Sequence, residues 1–99
     1  MVKVGLLARF DAVPGKEEDV AQFLEGALAL ANEEEQTTVW FALRLGPSTF
    51  GVFDAFADES GRQAHLEGRI AEALLGSVGE LVQQPSIEQV DVLAAKTPG

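Results

Sequence analysis

The sequence has no cysteine, a single histidine, a single tryptophan, and only seven lysines and arginines against sixteen aspartates and glutamates. Without cysteine there is no disulfide framework, no thiolate zinc site and no cysteine nucleophile. One histidine cannot supply a His-x-x-x-His metal pair, and no phosphate-binding loop, Gly-rich dinucleotide turn or Ser/His/Asp set can be assembled. The net charge of -9, with basic residues scattered from Lys3 to Lys96, argues against nucleic acid and against an anionic membrane surface. Long apolar runs are missing too. The first is interrupted by Arg9 and Asp11, so it lacks a signal peptide's core, and none reaches the about 20 residues that span a bilayer. A cytoplasmic location is expected.

What is present is an ordinary globular composition, 46% hydrophobic and 23% charged over 99 residues. That length suits one domain, residues 1–99, with 95–99 as a frayed tail. A core this small is only marginally self-sufficient, and pairing with a second copy would help.

Val2–Phe10 reads as a first strand, with Val4, Leu6, Ala8 and Phe10 on one parity and a mixed second face. Pro14-Gly15-Lys16-Glu17-Glu18-Asp19 opens a helix, with Pro14 near its first turn and acids where the dipole favours them. Val20, Phe23, Leu24, Ala27, Leu28 and Ala31 form its apolar stripe. The run Glu33-Glu34-Glu35 reads as a solvated helix end, in preference to a cation patch. Thr37–Leu45 and Thr49–Ala57 are strands joined by a hairpin. A four-residue loop, Gly46 to Thr49, would pair Leu45 with Phe50. It would put Trp40 and Arg44 on one face with Phe53, and Asp54 on the other.

A second helix starts at Asp58-Glu59-Ser60, breaks near Gly68, reaches about Leu75, and continues weakly through Val78–Val82 before Pro85 stops it. Ser86–Ala94 is the fourth strand. The order β-α-β-β-α-β predicts an α+β, ferredoxin-like fold: a four-stranded antiparallel sheet with the helices on one face. Two such sheets stacked back to back would form a dimeric α+β barrel.

Four stretches carry a resemblance to a known family. They are Ala-Arg-Phe-Asp-Ala-Val-Pro-Gly-Lys-Glu-Glu (8–18), Trp40 with Arg44, Phe-Gly-Val-Phe-Asp-Ala-Phe-Ala-Asp-Glu-Ser (50–60), and Ala64-His65-Leu66. In order and spacing they resemble the antibiotic biosynthesis monooxygenase family over roughly Val2 to Ala94. The resemblance implies the dimeric barrel and a cavity between helices and sheet. It covers cofactor-independent quinol and anthrone monooxygenases, an isomerase-like enzyme, and haem-degrading enzymes. The haem-degrading branch uses an Asn on the first strand and a His late in the second helix. About Ala8 and Leu75 hold those places here, so no cofactor is expected.

His65 is the candidate catalytic residue, since its ordinary pKa of about 6.5 suits proton transfer near neutral pH. The competing account is a half-buried histidine that anchors its helix through a backbone carbonyl. Trp40 could stack on an aromatic substrate or fill core. Arg44 could hold an anionic oxygen, or pair with a carboxylate such as Asp54, Glu72 or Glu88. Phe53 is pocket wall or core, and Asp58 and Glu59 are cap and dipole residues. The expected function is cofactor-independent monooxygenation of a quinol-like or polyketide-type aromatic. An isomerase or lyase on a small oxygenated metabolite, and a non-enzymatic ligand-binding or structural dimer, are the alternatives.

Overall fold

The computed structural model describes residues 1–98; Gly99, the last residue of the expected tail, lies outside them. Four strands, β1 (Val4–Asp11), β2 (Val39–Arg44), β3 (Thr49–Phe56) and β4 (Ser86–Asp91), form one antiparallel sheet in the order β2-β3-β1-β4. Three helices, α1 (Glu17–Glu33), α2 (Glu59–Leu66) and α3 (Arg69–Gly76), complete the ferredoxin-like α+β fold. The expected second helix is thus two short ones, divided at Gly68.

Alternation along the strands decides which side the helices cover. Leu6, Ala8 and Phe10 of β1 are buried together with Phe50, Val52, Asp54 and Phe56 of β3. Val20 and Leu24 of α1 and Leu74 of α3 close over them to make the main core. A second cluster, Ala27, Ala31 and Ile70, ties α1 to α3, and Trp40 packs against both. The stripe along α1 is narrower than expected, since Leu28 is half exposed.

The β2–β3 hairpin differs by one residue from its expected register. The Leu45 N–H donates to the Thr49 carbonyl at 2.8 Å, which closes a three-residue loop, Gly46-Pro47-Ser48. Trp40 then stands opposite Asp54, and Phe41 opposite Phe53. A one-residue slip exchanges strand faces. Trp40, Ala42 and Arg44 therefore share the helix side with Asp54, whereas Phe53 goes to the outer face with Phe41 and Leu43. That outer face bears no helix, and Phe41 on it is 56% exposed.

Three other expectations are corrected. Pro14 precedes α1 in a tight turn, where the Lys16 N–H bonds the Val13 carbonyl. Val78–Val82 is not helical: Gly79 adopts φ +91, its N–H donates to the Val82 carbonyl, and Ala12 and Val82 form a bridge. A left-handed residue cannot continue a right-handed helix. The last strand ends at Asp91, although the Val92 N–H still reaches the Lys3 carbonyl at 2.9 Å.

Phe56, fully buried at the end of β3, anchors the floor beneath α2. Phe56→Ala should lower unfolding stability by about 3–5 kcal/mol, read from the urea midpoint with Trp40 fluorescence as the signal.

Candidate functional site

The structure gathers three titratable side chains from three segments. Asp54 comes from the middle of β3, His65 from the last turn of α2, and Glu34 from the residue that ends α1. Asp58 seats α2 by accepting the Gly61 N–H at 3.1 Å, as expected of a cap. Gly61 lets the helix lie close, because a Cβ there would come within 3.2 Å of both the Gln36 carbonyl and the Phe56 side chain. His65 is thereby carried down onto the sheet. Its ring centroid lies 5.5 Å from that of Phe56, and the residue is only 6% exposed.

Both ring nitrogens of His65 face carboxylates. Nε2 lies 2.9 Å from Asp54 Oδ2 and Nδ1 lies 2.6 Å from Glu34 Oε1. Glu34 Oε1 also accepts from the Thr37 hydroxyl at 2.7 Å. Burial by itself would lower the His65 pKa. The hydrogen bonds and charges of Asp54 and Glu34 more than reverse that, raising it to about 8. At neutral pH the ring is therefore an imidazolium that donates from both nitrogens. The partners of the ring are thus two carboxylates and not the backbone carbonyl that the anchoring account expected.

Asp54 has one further distinguishing feature. It is 2% exposed, and its Oδ1 is buried without a hydrogen-bond partner. Asp54 and His65 form the polar part of the wall of a cavity between sheet and helices. The remainder is apolar: Leu6, Ala8, Val52, Leu66, Ile70, Ala71, Leu74, Leu75 and Ile87. The cavity measures about 70 Å³. On the other side of His65, Glu34 borders an open polar hollow with Glu35, Gln36 and Thr37. Among the described residues, no group of three or more His, Asp or Glu side chains is arranged to hold a metal ion.

The other candidates stand apart from this cavity. Trp40 is opposite Asp54 in register, but its ring packs into the two core clusters, and its buried Nε1 has no partner. Arg44 sits at the far end of β2, half exposed, with its guanidinium 4.9 Å above the Phe50 ring. Its partners are Glu18 at 3.0 Å and the Pro47 carbonyl at 3.2 Å, not Asp54, Glu72 or Glu88. Phe53 is on the opposite side of the sheet, a consequence of the one-residue register change. Glu59, expected as a dipole residue, also pairs with the buried Arg62, which bonds the Gly5 and Val90 carbonyls.

Sequence reasoning missed the roles of Asp54 and Glu34. Asp54 was detectable in principle, as the one acid inside the aromatic run Phe50–Phe56, with the parity of its buried residues. Glu34 carried no local signal, since its partner is 31 residues away.

An antiparallel sheet covered on one side by short helices, with a buried acid–imidazole–acid group at a helix–sheet cavity, defines the class. Its fold is that of two solved structures provisionally named antibiotic biosynthesis monooxygenases. One, from Nitrosomonas europaea, is 13% identical with a TM-score of 0.79, over 92% of this chain and 90% of that one. The other, from Chloroflexus aurantiacus, is 12% identical with a TM-score of 0.74, over 98% and 99%. The chain belongs to the family of a second Nitrosomonas europaea protein, of unknown function. The two are 58% identical with a TM-score of 0.96, over 100% of this chain and 97% of that one. No protein-family model and no curated protein matches the chain. No helix is long and apolar enough to cross a membrane among the described residues.

The raised pKa of His65 makes a signed prediction. A folded-state value of about 8 against 6.5 for the free side chain adds stability that is complete below pH 6.5 and lost as pH rises through about 8. Between about pH 6 and about pH 9 the wild type should lose up to about 2 kcal/mol that His65→Ala does not lose. Urea unfolding at both pH values measures the difference.

Proposed function

We propose that the chain is a cofactor-independent monooxygenase of a quinol-like or polyketide-type aromatic, with Asp54 as proton acceptor and His65 as the cation that balances the charge. The observation that carries this is the buried, unpartnered Oδ1 of Asp54, a residue that lines an apolar cavity. Buried polar atoms in folded proteins are nearly always paired, so such an oxygen suits a hydroxyl donor supplied from outside the chain. The provisional names of the two fold relatives agree with the chemistry.

The reaction needs no external reductant. A hydroxyaromatic that loses its proton to Asp54 passes one electron to oxygen. The resulting radical and superoxide join through a new carbon–oxygen bond to give a hydroperoxide. Loss of water then leaves a carbonyl, so a methylene and one oxygen molecule become a ketone and one water. The protein supplies the acceptor, a nearby imidazolium to steady the anion, and a dry wall around the intermediate. Trp40, Arg44 and Phe53 do not line this cavity.

A second reading, a non-enzymatic ligand-binding or structural dimer, is favoured by two observations. The cavity of about 70 Å³ is less than half the about 150 Å³ of a cavity known to admit benzene, and both nitrogens of His65 are already paired. The monooxygenase reading requires the mouth beside Leu66, Leu75 and Ile87 to widen for a ring.

For either reading we propose a homodimer, formed when the open sheet face bearing Leu7, Phe41 and Leu43 packs on a second copy. Sedimentation at micromolar concentration should give twice the chain mass, and Phe41→Glu should shift it to the single mass; a single-chain mass for the wild type overturns this. Oxygen uptake tested with a panel of hydroquinones and anthrones should depend on substrate, and Asp54→Asn should slow it at least about a hundredfold. No uptake with any substrate, or an unchanged rate in folded Asp54→Asn, overturns the enzymatic reading.

A further inference from the structure

We propose that Glu34 is the positioning residue of this site: by taking Nδ1–H of His65 it holds the ring so that Nε2–H meets Asp54 Oδ2, which leaves Asp54 Oδ1 without a partner from the ring. The inference deepens the function proposed above, since it concerns the same cavity, but its observations are independent of any substrate.

A histidine with one buried carboxylate has two ways to settle. It can donate to the carboxylate from Nε2, or turn its ring and present the other nitrogen. Glu34 removes that freedom because it stands on the far side of the ring, 2.6 Å from Nδ1, while Asp54 stands 2.9 Å from Nε2. Each nitrogen then has a single acceptor. Thr37 holds Glu34 in turn, by donating to the same Oε1. The other charged groups near His65 are engaged elsewhere. Arg62 of α2 bonds Glu59 and the carbonyls of Gly5 and Val90, and Arg69 of α3 is turned to Glu33 at 3.7 Å. No element contributes a cation that could take over the role of the ring.

The arrangement also sets the chemistry the cavity accepts. Two acidic side chains flank the ring beside an apolar wall, so an apolar molecule bearing a hydroxyl donor suits the cavity better than one bearing a carboxylate. Glu34 contributes to that selection without touching the cavity, whose lining does not include it. Its own position beside the open hollow keeps one end of the chain of three groups near water.

The test is nitrogen–proton NMR of the His65 ring in the intact chain. Wild type should show both ring nitrogens protonated near neutral pH, with half-titration near 8. Glu34→Gln should lower the proton affinity about tenfold or more and allow a mixture of ring tautomers, with the amide spectrum otherwise unchanged. Glu34→Asp should restore part of the affinity. The inference is overturned if folded Glu34→Gln keeps both ring nitrogens protonated with the wild-type titration, or if the wild-type ring carries a single proton at about pH 6.5, whether or not the variant folds. Because no substrate takes part, a failed oxygen-uptake experiment leaves this result standing, and a failed NMR experiment leaves the uptake result standing.

Discussion

The structure depends on one buried ionic contact, the imidazolium of His65 held between Asp54 and Glu34. A carboxylate in the middle of an otherwise aromatic strand is costly to desolvate, and only a partner of opposite charge makes it tolerable there. His65 is that partner, and Glu34 keeps it charged. The same contact fastens α2 to β3 on one side and to the end of α1 on the other. Three segments that share no local sequence signal are thereby fixed relative to one another.

Well-packed apolar side chains in place of a buried ion pair are often neutral or stabilising, so the group holds only because each nitrogen of the ring meets a carboxylate. The cavity beside it is lined by Ile70, Leu74 and Leu75 of α3 and by Leu6, Ala8 and Ile87 of the sheet, and it is small. The two helices that close the site are short and separated at Gly68, so the cover is made of pieces and not of one rigid rod.

The two faces of the sheet have different tasks. The inner face carries the core and the charged group; the outer face carries Phe41, Leu43 and Phe53 with no helix above them. The one-residue change in the hairpin loop put Trp40 and Arg44 on the face of Asp54 and left Phe53 on the other. That single change explains why the candidate ligand wall of Trp40, Arg44 and Phe53 does not assemble. Arg44 failed for a separate reason: at the end of β2 it is within reach of Glu18 on α1 and far from the middle of the sheet.

The sequence alone determined the element order, the ferredoxin-like fold, the division of the second helix at Gly68 and the Asp58 cap. These follow from periodicity and capping, which act over a few residues and can be read along the chain. Tertiary structure alone decided the register of the hairpin, the company of His65 and the partner of Arg44. Each depends on contacts between residues distant in sequence, and the spacing of charges along a chain does not say which of them will meet in a medium of low dielectric. Glu34, outwardly one more acid in a solvated run, acquires its role only because α1 ends beside α2.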